Sequence, residues 1–315
     1  PLLIIAGAGT GKTTVITERI KYFILGKCAK PNEILALTFT EKAAKEMEER
    51  VDVSMPYGYT QMWISTFHSF CDRILRAEAL HIGLDPKYKL MTQSETVQLI
   101  RNNIFKFNLD YFRPLGNPTK FVAGMLQHFS RLKDEDVNAE DYLLYASKLK
   151  KNKGKGSEDS EKLEIKKTLE LADAFKVYEE LKVKEGVMDF GDLIVKTLEL
   201  FRKRPNILKT YREQFKHVLV DEFQDTNYGQ NELVKLLVEK EGNITVVADD
   251  DHDRAVDGIL DRLVDLDLQE QASRRIHRGL PELLWVHLAE TLEPADLHAF
   301  LRELGQRLRH RRAGG

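Results

Sequence analysis

A glycine-rich run, Ala6-Gly7-Ala8-Gly9-Thr10-Gly11-Lys12-Thr13, separates a short apolar segment from an amphipathic one. Glycines there let successive backbone N–H groups turn inward around a phosphate chain, and a helix starting at the lysine aims its positive end at the same point. Lys12 is then placed to meet the β- and γ-phosphates of ATP, and the Thr13 hydroxyl to ligate Mg2+. Gly7, Ala8, Gly9, Thr10, Gly11, Lys12, Thr13 and Thr14 form the candidate nucleotide cradle. A glycine-rich turn that binds nothing is the alternative, and the strand–loop–helix context weighs against it. Much later, Asp221-Glu222 closes an apolar run. A carboxylate pair at a strand end suits nucleotide hydrolysis, with Asp221 holding Mg2+ through water and Glu222 polarising the attacking water. By itself such a pair at a strand end is usually just a solvated turn.

The elements that carry these residues are legible from periodicity. Pro1 to Ala6, Ile34 to Thr38, Met62 to Thr66, His217 to Asp221 and Ile244 to Ala248 read as buried strands. The helix after the glycine-rich loop is expected to bury Val15, Ile16, Ile20 and Phe23, and Glu41 to Val51 forms a second helix. Strand alternating with helix implies a parallel sheet with right-handed crossovers. From about Thr92 to Glu185 the strand runs give way to helical periodicity, so a sheet is interrupted and later resumed. The fold class is therefore α/β, with a sheet in two pieces (residues 1–90 and 187–252), an all-helical insertion (91–186), and a tail (253–315). Within the insertion, Lys148 to Ser160 is a charged, glycine-containing stretch that reads as a loop between helices, or as a phosphate-contacting loop.

Composition bounds the partners. The chain has 315 residues, 31% of them charged, and a formal net charge of −2, so it carries no global signature of polyanion binding. A local basic groove is compatible with that total. Cys28 and Cys71 have no metal-ligand spacing and read as isolated reduced thiols of a cytoplasmic protein. No apolar run approaches the roughly 18 residues of a membrane span. The chain opens on Pro1 rather than Met, which leads us to expect residues upstream. The last lysine is Lys240, and beyond it arginine alone supplies the long cations. In that tail Leu297, Phe300, Leu301, Leu304 and Leu308 share one helical face, and Arg307 to Arg312 is strongly basic.

Several segments, in order, resemble the UvrD/Rep family of superfamily 1 DNA helicases. Asp221 to Asn227 (DEFQDTN) resembles its motif II. Leu37 to Val51 (LTFTEKAAKEMEERV) resembles motif Ia, and Ile64 to Arg76 (ISTFHSFCDRILR) the following DNA-contacting motif. Met188 to Ile194 (MDFGDLI) resembles the MDFDDLL segment that closes the family's helical insertion, and Ile244 to Asp251 (ITVVADDD) the start of motif III. The resemblance covers residues 1 to about 251. It implies a RecA-like P-loop NTPase sheet with an inserted helical subdomain, ATP and Mg2+ as cofactors, and 3′-to-5′ movement on single-stranded DNA. It also implies that Phe39 and Thr40 lie at the DNA strand, with Thr66 and His68 near its backbone. An aromatic ring stacks any base, and hydroxyl or imidazole groups hold phosphates without reading sequence. A core position for Phe39 and a structural hydrogen bond for His68 are the alternatives.

The chain departs from the family at Glu41, where motif Ia has Asn, and at Thr14, where relatives often carry Arg. The glutamine of GDDDQSIY falls on His252, and the aromatic residues that follow it in the family are absent. From Asp253 onward no family segment is recognisable, so the expectation is a native sequence that breaks near residue 252, continued by a foreign or mis-joined segment or an out-of-frame one, with a natural helical appendage as the alternative. A polypeptide with one RecA-like sheet is expected not to unwind duplex DNA by itself. The alternative function is an ATP- and DNA-binding module without motor activity.

Overall fold

The computed structural model describes residues 2–7, 10–53, 62–151, 159–238 and 243–248. Ala8, Gly9, His252 and the tail from residue 253 lie outside them, as do Asp249 to Asp251. The chain divides into two compact units, Lys87–Val195 forming one and the flanking stretches the other.

In the flanking unit the chain runs β1 (Leu2–Ile5), α1 (Lys12–Leu25), β2 (Ile34–Thr38), α2 (Glu41–Asp52), β3 (Trp63–Thr66) and α3 (Phe67–Glu78). After the insertion come β6 (His217–Val220), α10 (Tyr228–Leu237) and β7 (Asn243–Ala248). The five strands form one sheet in the order β1-β7-β6-β2-β3, and every pairing is parallel. β6 and β7 thus fill the gap that β1 and β2 leave between them. The chain's early strands cannot close the sheet without its late ones, which is why the sequence reads as a sheet interrupted and resumed.

All five residues of β2 are buried, as expected for a central parallel strand covered on both faces. On one face Ile34, Ala36, Leu219 and Val247 pack against Ile16, Ile20, Phe23 and Ile24 of α1 and Met47 and Val51 of α2. Val15, expected on this apolar face, is instead 43% exposed. The buried set is spaced i, i+4, i+7, i+8, and Val15 falls about 100° round the helix from Ile16. Cys71 is buried, and burial pushes its thiol up to about 12; Cys28 is exposed. Both cysteines are free.

The inserted unit holds β4 (Lys89–Leu90), α4 (Gln93–Asn102), α5 (Val122–Asp134), α6 (Ala139–Lys151), α7 (Asp159–Glu185) and β5 (Val187–Met188). β4 pairs in parallel with β5, so the segment's entry and exit are tied together and the unit takes in residues on both sides of 91–186. Ile100, Phe129, Leu132, Tyr142, Phe175 and Tyr178 form its core. The stretch from Lys148, expected as loop, is helical to Lys151 and again from Asp159; residues 152–158 lie outside the described set. Lys148, Lys150 and Lys151 form the last turn of α6, where cations complement the helix dipole. α8 (Phe190–Lys203) and α9 (Pro205–Gln214) then lead back to β6.

The Met188–Ile194 segment has a physical task within the inserted unit. Asp189 Oδ1 accepts from the Asp192 N–H at 3.0 Å, and Asp192 Oδ2 accepts from the Asp189 N–H at 2.8 Å, which caps α8. The same carboxylates meet Lys133 and Lys182, each nearly inaccessible to solvent. Burial would lower the Lys133 ammonium, but Asp192, Glu179 and Asp189 hold its pKa well above the usual lysine value. Glu179, Asp189 and Asp192 bring their oxygens within 4.8 Å of one another. Because the ammonium groups of Lys133 and Lys182 already sit among them, they form an internal ion network rather than a cation site. A Cβ on Gly191 would meet the Lys133 side chain at 2.9 Å, so the glycine makes room for that network.

Candidate functional site

In a parallel sheet every strand ends at the same edge, which is where doubly wound proteins bind their ligands. β1 runs there into the glycine-rich loop, β6 into Asp221-Glu222, β2 into Phe39-Thr40, and β3 into Thr66. The candidate nucleotide and DNA residues therefore share one edge of one unit.

The loop between β1 and α1 is pinned by Thr10, whose hydroxyl and N–H both donate to the Gly7 carbonyl, at 2.7 and 3.3 Å. Gly11 caps α1 with φ 92°, a left-handed conformation that a glycine adopts without strain. The Lys12 side chain is buried, its Nζ donating to the Ala6 carbonyl at 3.3 Å and lying 4.0 Å from Glu222 Oε2. Thr13 Oγ1 donates to Asp221 Oδ2 at 3.0 Å across 208 residues of sequence. Ala8 and Gly9 complete the loop in sequence but lie outside the described residues. Thr14 is exposed, and its hydroxyl accepts from Arg50 Nη1 of α2 at 3.2 Å. Sequence reasoning missed Arg50, because nothing local to α2 signals contact with the first turn of α1, 36 positions earlier.

Asp221 is 1% exposed, and its Oδ1 has no hydrogen-bond partner. Burial raises its pKa and the Glu222 charge adds to the effect, while the Thr13 hydroxyl, a backbone hydrogen bond from Glu222 and the Lys12 charge oppose it. A buried carboxylate oxygen left without a donor is uncommon in a folded protein. Beside a threonine hydroxyl, it is a pair of hard oxygen ligands of the kind Mg2+ takes. The residues present therefore fit Mg2+, Thr13 and Asp221 offering the oxygens that would hold it. Glu222 has φ 50°, an uncommon conformation for a side-chain-bearing residue and one that concentrates at functional sites. The turn carries the carboxylate out of line with Asp221 and towards Lys12. Gln224 Nε2 donates to Glu222 Oε2 at 2.6 Å and fixes that orientation; the DEFQDTN wording contains this residue, but its spacing alone gave it no role.

On the β2–β3 side, Phe39 is half-buried and meets the buried Phe67 ring edge-on at 6.0 Å. Thr40 caps α2, its hydroxyl accepting from the Ala43 N–H at 3.1 Å. Thr66 caps α3, accepting from the Ser69 N–H at 3.1 Å, and is itself buried. His68 is half-buried; desolvation lowers its pKa against the opposing charge of Glu41, so at neutral pH it offers a neutral ring. No helix among the described residues is long and apolar enough to cross a membrane.

A five-stranded parallel sheet with a strand–loop–helix phosphate cradle at one end and an interrupting helical unit defines a RecA-like P-loop NTPase. Within that class the chain belongs to the UvrD/REP helicase N-terminal domain family, whose model matches residues 1–252. It is 37% identical over 252 residues to the ATP-dependent DNA helicase PcrA of Bacillus subtilis (strain 168), covering 80% of this chain and 31% of that protein. The PcrA of Staphylococcus aureus (strain Mu50 / ATCC 700699) is 36% identical over 251 residues, again 80% of this chain and 31% of the relative. The chain thus spans about a third of the length of these relatives.

Proposed function

We propose that this chain is the ATP-binding part of an ATP-dependent DNA helicase that moves 3′-to-5′ on single-stranded DNA, in repair, replication or recombination, in the cytoplasm. One observation carries the reading: Thr13 and Asp221, 208 positions apart, meet at 3.0 Å, with Lys12 and Glu222 beside them. Lys12 would bind the β- and γ-phosphates, while Thr13, with Asp221 acting through water, would hold Mg2+. When bound there, Mg2+ would supply positive charge against that of the phosphates. Glu222, oriented by Gln224, accepts the proton of the attacking water. Gly7, Ala8, Gly9, Thr10, Gly11 and Thr14 complete the cradle. Phe39, Thr40, Thr66 and His68 form the face for single-stranded DNA, at the same sheet edge, so nucleotide state and strand grip share one rigid support.

The test is Mg-ATP titration with a fluorescent nucleotide, alongside hydrolysis with and without single-stranded DNA. Lys12→Ala removes the cation facing the β/γ-phosphates, and we expect binding to fall by at least about 100-fold, as for loss of a charge-assisted contact in a desolvated site. Equal affinity in both proteins sinks the assignment. Binding of nucleotide and single-stranded DNA without DNA-stimulated turnover instead identifies an ATP- and DNA-binding module without motor activity.

A further inference from the structure

Glu41 opens α2 and is exposed, yet its carboxylate is turned onto the neighbouring helix. Its Oε1 accepts from Thr66 Oγ1 at 2.8 Å and from Ser69 Oγ at 2.5 Å. The sheet makes this meeting unavoidable. β2 and β3 are adjacent and parallel, with Thr38 paired to Thr66, and each runs straight into a helix. Two helix starts therefore lie side by side at one edge, and their combined partial positive charge favours an anion there. Glu41 is that anion. It takes the hydroxyl donors of Thr66 and Ser69.

We propose that Glu41 is a resident substitute for a nucleic-acid phosphate, which the DNA strand must displace before Thr66 and Ser69 can grip its backbone. This rests on the reading of Phe39, Thr40, Thr66 and His68 as the DNA face. Displacement is feasible because Glu41 is solvent-exposed and held only through its side chain. It is costly because the displaced carboxylate remains next to the incoming phosphates. Glu41 thereby acts as a specificity-determining residue that weakens the grip on the strand, and it favours ligands that engage the whole face over those that touch it at one phosphate.

The experiment measures binding of a single-stranded oligothymidine to the full chain by fluorescence anisotropy, at about 50 mM and about 200 mM salt. Glu41→Gln keeps an acceptor for both hydroxyls and removes the charge. We expect it to bind about five- to tenfold more tightly at the lower salt, the size of one relieved like-charge contact near a protein surface. The gain should shrink at the higher salt, where screening is stronger. In a Ser69→Ala background the gain should also shrink, because one of the contested donors is gone. A gain of equal size in that background overturns the proposal, since the charge would then act at a distance rather than by occupying the donors. Unchanged or weaker binding by Glu41→Gln, with wild type binding normally and both proteins melting alike, overturns it while leaving the DNA face intact. No binding by either protein at low salt overturns both the proposal and the DNA face.

Discussion

Asp221→Asn separates what the fold prefers from what the chemistry needs. Asp221 is buried against the sheet edge with one oxygen bonded to Thr13 and the other without a donor, next to the Glu222 carboxylate. Without Mg2+ this is an unfavourable place for a charge. An unsatisfied buried polar group costs about 1–3 kcal/mol, more when charged. Asparagine has nearly the same shape, keeps an acceptor for the Thr13 hydroxyl and removes the charge. Its NH2 group inherits the orphaned position, so part of the cost remains, and a net gain of about 1 kcal/mol is expected for the ligand-free protein. For a chain of this size that corresponds to a Tm rise of about 2–4 °C. With Mg-ATP the order should reverse. The wild type gains stability by mass action as ligand binds the native state, whereas the variant lacks the anionic ligand for the metal and gains less. Thermal melts at pH 7, with EDTA and then with saturating Mg-ATP, read both effects. A variant that melts lower than wild type in EDTA refutes the claim that the buried Asp221 charge is unfavourable without Mg2+. A variant stabilised by Mg-ATP as much as wild type refutes its place on the metal.

Three further outcomes test other parts of the molecule. Lys182→Met removes one ammonium from the buried network and leaves Asp192 and Asp189 undercompensated, so the inserted unit should lose about 3–5 kcal/mol in a urea titration; a loss under about 1 kcal/mol would mean that Lys133 suffices alone. His128, whose ring nitrogen pairs with the Tyr142 hydroxyl, has its pKa lowered to about 4, by burial first and then by Arg131. Its folded pKa is depressed, so the stability it contributes is full above the unfolded value of about 6.5 and is lost as pH falls towards 4. His128→Gln should flatten that part of the acid-denaturation profile, and an unchanged slope between those limits contradicts it. Phe39→Ala should weaken binding of single-stranded DNA by about 1–3 kcal/mol if the exposed part of the ring stacks a base. Unchanged DNA affinity with a lowered Tm would make Phe39 a packing partner of Phe67 alone.

The sequence by itself determined the phosphate cradle, the acidic pair and the strands that deliver them. It could do so because a P-loop is a local device: glycines, lysine and threonine act within one strand–loop–helix, and a buried parallel strand is a continuous apolar run whatever lies beside it. The fold class followed from counting such runs, and even the late return to the sheet was visible at His217 and Ile244. What periodicity cannot supply is the neighbour. It reports how often a residue turns inward, but not which surface it meets there. Val15 shows this on one helix, where the expected stripe was off by a single residue because the facing sheet sets the angle. The order β1-β7-β6-β2-β3 is likewise unwritten in any segment. That order is what sets Asp221 against Thr13, and Thr66 against Glu41. Lys133 and Lys182 lie on different helices from Asp192, so only packing reveals why charges should be buried together. Local chemistry was thus legible because covalent neighbours carry it. The grip of Glu41 on Thr66, the reach of Arg50 to Thr14 and the orphaned oxygen of Asp221 were decided by tertiary structure, because each depends on where a second element stops.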